Sequence, residues 1–114
     1  MPDFGSPFAV LANDRKLTHD ELVRAIRFMV AAEYEAIQLY IQLAESTDNA
    51  LAQAVLRDIA DEERVHAGEF LKLLYQLEPE EESFYAKGFE EVAAIAERLK
   101  KTAKSGGGGG KKTS

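Results

Sequence analysis

Two long apolar repeats, free of helix breakers and joined by only four residues, constrain this chain more than any other feature. From Asp20 to about Glu45 there is neither glycine nor proline. Apolar residues recur there at helical spacing through Leu22, Ile26, Met29, Val30, Ile37, Tyr40 and Ala44. Such a run spans roughly 40 Å at 1.5 Å per residue, which is long for a small chain and typical of a bundle helix. A second run from about Ala50 to Leu77 carries Ala52, Val55, Leu56, Ile59, Phe70, Leu73, Leu74 and Leu77 on one stripe. Between the two, Ser46-Thr47-Asp48-Asn49 ends the first helix and offers caps to the second. So short a connection makes the pair an antiparallel hairpin.

The start of the first helix is written locally. Thr18-His19-Asp20-Glu21 fits a capping box, in which the threonine hydroxyl accepts from the Glu21 amide and the glutamate reaches back to the Thr18 amide. Before it, residues 1–17 hold Pro2, Gly5, Pro7 and Asn13-Asp14 and read as an extended N-terminal arm. Pro79 ends the second helix, residues 80–86 are expected to form a short helical turn before Gly88, and Phe89 to Lys101 is expected to be a shorter amphipathic helix. Residues 18–101 would then be the folded domain. Residues 102–114, with five consecutive glycines followed by Lys111-Lys112, read as a flexible tail. The expected fold class is all-α: a two-helix hairpin plus a shorter C-terminal helix.

Composition narrows the chemistry. With no cysteine among 114 residues, disulfides, thiolate zinc sites and iron–sulfur clusters are ruled out, so any metal must be held by oxygen and nitrogen. Twenty acidic against 14 basic residues give a formal net charge of -6, and no basic run lies along a helix face, which argues against nucleic acid and anionic membranes as partners. Neither a signal-peptide pattern nor an apolar run of membrane-spanning length is present, and the chain reads as cytoplasmic.

The polar residues on the apolar stripes carry the functional information. Glu63 and His66 form a Glu-x-x-His pair, i and i+3 on one helical face, between Ile59 and Phe70; Glu33 interrupts the stripe of the first helix. An ionised carboxylate removed from water costs several kcal/mol unless it is paired, protonated or bound to metal. Counting outward from the turn at 46–49 brings Glu33 opposite residues around 62–63, so three metal-competent side chains meet at one level of one seam. Two carboxylates and an imidazole without thiolate suit iron, manganese or zinc, and the carboxylate-rich set favours iron or manganese. A carboxylate-bridged di-metal site in a four-helix bundle takes a Glu from each of two helices and a Glu-x-x-His from each of the other two. This chain holds half of that set, because its one remaining histidine is His19, in the capping motif. Two chains would have to complete the site. Glu62 and Glu69 read as solvated charges, Glu35 as a helix-surface acid with a second reading as a weak metal-entrance residue, and Tyr40 as a core residue two turns beyond Glu33.

The segments Glu33-Tyr34-Glu35-Ala36-Ile37-Gln38-Leu39-Tyr40 and Ala60-Asp61-Glu62-Glu63-Arg64-Val65-His66-Ala67-Gly68-Glu69-Phe70 resemble the encapsulated ferritins, with the likeness running from about residue 17 to 98 and including Gly88-Phe89-Glu90-Glu91. The resemblance implies a hairpin that pairs with a second copy into a ferritin-like four-helix bundle, with a di-iron ferroxidase centre between the two chains. It assigns Glu33, Glu63 and His66 of each chain as iron ligands, Tyr40 as a neighbour of the centre, and Glu35 to a site where metal enters. It further implies assembly into a ring, typically a decamer, and delivery of oxidised iron inside an encapsulin nanocompartment, to which a C-terminal peptide docks. The chain departs from the pattern in carrying Ala32 where some members have a further acid, and in lacking an apolar docking motif after its glycine run. The function expected is Fe(II) oxidation for iron storage or detoxification. Its competitors are a non-catalytic helical assembly protein that uses the acids to set register, and a ferritin-like di-metal peroxidase.

Overall fold

A computed structural model describes residues 15–106, and everything in it with regular structure is helical: α1 (His19–Glu45), α2 (Ala50–Leu77) and α3 (Pro79–Gly106). The described residues fall into two units that part after Pro79, the α1–α2 hairpin and α3. The expected extended arm lies almost wholly outside the described residues; of the flexible tail expected over 102–114, residues 107–114 lie outside them and 102–106 are instead the end of α3.

The capping box forms as its sequence requires. The Glu21 amide donates to Thr18 Oγ1 at 3.1 Å, and the Thr18 amide donates to Glu21 Oε1 at 2.9 Å. Arg15 adds a fork that the local pattern does not announce, its two terminal nitrogens reaching the two Glu21 oxygens at 2.7 Å each. This holds the Glu21 carboxyl down at about 2, chiefly through the hydrogen bonds from Arg15 and from the Thr18 backbone. At the hairpin, Ser46 Oγ donates to the Gln42 carbonyl at 2.7 Å, satisfying one of the acceptors left over at the end of α1. Asn49 caps α2 by accepting from the Ala52 amide at 2.9 Å, and Gln53 Nε2 ties the turn down by donating to the Thr47 carbonyl at 2.6 Å.

The two long helices pack along a narrow seam. A seven-residue spacing runs through its buried residues, Val23, Val30, Ile37 and Ala44 on α1 and Ala60, Ala67 and Leu74 on α2, with Ile26 buried besides, three positions after Val23. A seven-residue repeat is the mark of a two-helix, coiled-coil-like contact. Alanine at three of these positions lets the backbones approach closely. Toward the end remote from the turn, Val23, Ile26 and Leu74 form the packed cluster, with Leu22, Phe70 and Leu77 against it. The sequence stripe is wider than this seam: Met29, Val55 and Leu73 belong to it by spacing but are exposed. One neighbouring helix cannot cover the whole arc.

The third helix differs from the sequence expectation. Instead of a short turn before Gly88 and a separate helix over Phe89 to Lys101, one continuous helix runs from Pro79 to Gly106 and is as long as α2. Pro79 does end α2, but it also opens α3, since at the first helical position its missing N–H costs nothing and its fixed φ suits the helix. Gly88 does not interrupt it. A glycine costs about 1 kcal/mol relative to alanine in a helix interior, and the neighbours Ala86, Lys87, Glu90, Glu91, Ala93 and Ala94 offset that with high helix propensity. Three acids in the first turn, Glu80, Glu81 and Glu82, and Lys104 in the last, complement the helix dipole.

Candidate metal centre

The hairpin brings Glu33 of α1 to Glu63 and His66 of α2. Each offers one ligand atom, and the three atoms lie within 4.8 Å of one another. His66 Nδ1 is 2.7 Å from Glu63 Oε1, one turn away on the same helix, and 3.8 Å from Glu33 Oε2 across the seam. This is the only group of three or more such residues among those described. The antiparallel register set by the turn therefore delivers what the residue count predicted.

The burial is uneven. The side chains of Glu33 and Glu63 are 13% and 18% exposed, whereas that of His66 is 50% exposed. The two carboxylates line the edge of the seam, and the imidazole stands on its open flank.

Burial and the neighbouring charges shift two of the three groups. Glu33 has its carboxyl pushed up, first by burial, then by the hydrogen bond its protonated form donates to Glu63 and by the charge of Glu63, with His66 pulling the other way. His66 is also pushed up, mainly by its hydrogen bond to Glu63, with smaller contributions from the charges of Glu63, Glu33 and Glu69. Both shifts favour holding a proton at the place where negative oxygens converge. A divalent cation satisfies the same need, and the donor set of two carboxylates and one imidazole fits iron or manganese. To ligate through nitrogen His66 must shed its proton, so metal binding here is coupled to proton release.

Two of the residues singled out in the sequence stand apart from the three. Glu35 is exposed and lies two positions from Glu33, on a different side of α1. Tyr40 is half-buried, seven positions beyond Glu33 and so about 10 Å along the helix axis. Neither belongs to the cluster. Glu69, set aside in the sequence as a solvated charge, is exposed yet contributes to the field at His66. Its position three residues beyond His66 on the same helix was the available signal.

Residues 22–105 match the model of the rubrerythrin family. Over 90 residues, 79% of this chain and 68% of the relative, the sequence is 40% identical to an encapsulin nanocompartment cargo protein of Myxococcus xanthus. Over 86 residues it is 39% identical to a ferritin-like–encapsulin shell fusion protein of Pyrococcus furiosus, of whose length the match spans 25%. Among solved structures, the crystal structure of an encapsulated ferritin domain from Pyrococcus furiosus superposes with a TM-score of 0.72 at 37% identity, covering 75% of this chain and 88% of that one. The all-helical fold is thus ferritin-like, and the chain belongs to the rubrerythrin family, within it to the encapsulated ferritins.

Proposed function

We propose that this protein is a ferroxidase whose centre is completed by two copies of the chain. The observation that carries this reading is the convergence of Glu33, Glu63 and His66 donor atoms within 4.8 Å on the half-open flank of a hairpin. One Glu and one Glu-x-x-His are half of the ligand set of a carboxylate-bridged di-iron site, and a second hairpin laid against the open flank supplies the other half. Exposed apolar residues on α1 and α2, among them Met29, Val55 and Leu73, offer material for such a contact.

Fe(II) is the substrate. Two ions give up one electron each to dioxygen, so that 2 Fe(II) + O2 + 2 H+ yield 2 Fe(III) + H2O2. The protein's contribution is electrostatic and positional. Glu33 and Glu63 present negative oxygens that interact more strongly with the higher charge of the product than with the reactant. His66 yields its proton to become a nitrogen ligand and, with Glu63 one turn away, fixes where the metal sits. Tyr40, further along the same helix, is assigned to the surroundings of the centre, and Glu35 to the path by which metal enters.

In the same proposal the chain is cargo of an encapsulin nanocompartment in the cytoplasm, delivering oxidised iron for storage or detoxification; its likeness to an encapsulin cargo protein and to a ferritin-like–encapsulin shell fusion protein supports this. Dimers are proposed to assemble further into a ring, with a decamer the expected size.

Aerobic Fe(II) oxidation by the purified, metal-free protein tests the reading. Oxidation faster than in buffer, lost in Glu63→Ala, supports it. A rate equal to buffer leaves a non-catalytic assembly protein, and faster turnover with peroxide than with dioxygen points instead to a di-metal peroxidase. Co-expression with an encapsulin shell protein tests the cargo role separately, by whether the chain copurifies with intact shells.

A further inference from the structure

The imidazole of His66 is the least enclosed member of the cluster, and its two ring nitrogens stand in different surroundings. Nδ1 is turned to the carboxylates, 2.7 Å from Glu63 Oε1 and 3.8 Å from Glu33 Oε2, which makes it the nitrogen placed to meet a metal. Nε2 is the nitrogen left over, on a side chain that is 50% exposed. A neutral ring bound through Nδ1 carries its proton on Nε2, and metal-bound histidines almost always donate that proton to a carboxylate, a backbone carbonyl or water. The acceptor fixes the tautomer, stops the ring from turning and makes the bound nitrogen a stronger donor.

The sequence of α2 leaves few candidates for that acceptor. In the turn after His66, Ala67 is buried in the seam, Gly68 has no side chain, and Phe70 packs against the core cluster. Glu69 alone in that turn carries a side-chain acceptor, and it is exposed. It lies three residues beyond His66 and so on the same side of the helix. Its Cα–Cβ bond, like every one in a helix, tilts toward the N-terminus and therefore toward His66.

In the turn before His66, Glu63 is already engaged with Nδ1. Glu62 is the other acid there, four residues before His66, but its own side chain leans away from the ring. The charges agree with this choice, because the Glu69 carboxylate acts on His66 together with those of Glu63 and Glu33. An exposed glutamate closes such a contact to a hydrogen bond by a change of rotamer.

We propose that Glu69 is a positioning residue of the metal centre, whose carboxylate accepts the Nε2–H of His66 and holds the imidazole with Nδ1 toward Glu33 and Glu63. The proposal rests on the reading of His66 as a metal ligand, and it adds a residue that touches neither metal nor oxidant. A half-exposed ligand without such a partner is free to turn away from the carboxylates. Negative charge behind the ring also favours the more highly charged ion in front of it.

Co(II) alone, titrated without iron and without oxygen, reads affinity by chelator competition and ligand arrangement by visible absorption. Full-length wild type is compared with Glu69→Ala, Glu69→Gln, Glu62→Ala, His66→Ala and the double variant Glu69→Ala/His66→Ala. Glu69→Ala is expected to weaken binding about 10- to 100-fold and to change the visible spectrum. Glu69→Gln, which keeps an acceptor oxygen, should recover part of the loss, and Glu62→Ala should bind like wild type. In the His66→Ala background the removal of Glu69 should have no further effect, since the two act as one unit. Alanine is the better helix former, so the metal-free Glu69→Ala chain should keep its helicity and melting point.

Wild-type Co(II) affinity in Glu69→Ala would overturn the proposal. So would a loss of the same size in the His66→Ala background, or one that Glu62→Ala matches and that disappears at about 1 M salt, because either would make Glu69 a diffuse surface charge. A loss that follows a drop in helicity would overturn it as well, by making the role structural. Binding by His66→Ala as tight as wild type would remove the ligand assignment and this proposal with it. Binding that needs His66 and is indifferent to Glu69 would overturn this proposal alone.

Discussion

His66 Nδ1 sits 2.7 Å from Glu63 Oε1, one helical turn away, within hydrogen-bonding distance. The contact is made within α2 and depends only on their spacing of three. What the hairpin adds is Glu33, at 3.8 Å from the same nitrogen, which turns a common surface pair into a charged cluster at the edge of an apolar seam.

Removing any one of Glu33, Glu63 or His66 is expected to abolish rapid Fe(II) oxidation while leaving a helical protein. None of the three is part of the buried core, which is made of Val23, Ile26, Val30, Ile37, Ala44, Ala60, Ala67 and Leu74. Stopped-flow absorbance and circular dichroism on the alanine variants check both halves of the statement; wild-type oxidation by Glu63→Ala would remove the ligand assignment.

The raised Glu33 predicts a gain in stability on neutralising it. A carboxyl whose folded-state pKa lies above its unfolded value favours the fold at low pH and loses that contribution as pH rises through the folded value. At neutral pH Glu33→Gln should therefore melt higher than the wild-type protein without metal. The difference should shrink as pH falls, and a lower melting point at pH 7 would contradict it.

Metal affinity should fall with pH, since His66 is pushed up and must lose its proton to ligate. Titration with Mn(II) or Zn(II) by calorimetry in buffers of different ionisation enthalpy should show proton release on binding. The effect should be reduced in His66→Ala.

Metal should also drive association, because three ligands from one chain are too few to hold two ions. Native mass spectrometry with and without Fe(II) under anaerobic conditions is expected to shift the protein toward dimers and their multiples. A monomer carrying two irons would exclude a shared centre.

At the other end of α1, Glu21 makes an opposite pH prediction. Its folded value of about 2 lies below the ordinary 4.5, so its contribution to stability is present above the ordinary value and is lost as pH falls toward 2. Thermal denaturation of Glu21→Gln should differ most from wild type at neutral pH and converge with it in acid. Thr18→Ala, which removes the other arm of the capping box, should cost about 1 kcal/mol at neutral pH.

Local chemistry was enough to determine much of this protein from sequence. The threonine of the capping box, the four-residue turn and the breaker-free runs set α1 and α2, because capping and helix propensity act within a few residues. The turn length also set the register, and with it the meeting of Glu33 with Glu63 and His66. Tertiary structure decided what periodicity leaves open. Helical spacing assigns a broad apolar arc, but a single partner helix covers only the strip from Val23 to Ala44, leaving Met29, Val55 and Leu73 outside. The same rotation of α2 about its axis puts His66 on the open flank and Glu63 at the seam. Gly88 read locally as a stop, yet the propensities on both sides outweigh one glycine and α3 continues to Gly106. Which side chains a helix buries depends on how many neighbours it has, and that number is not written in any one segment of the chain.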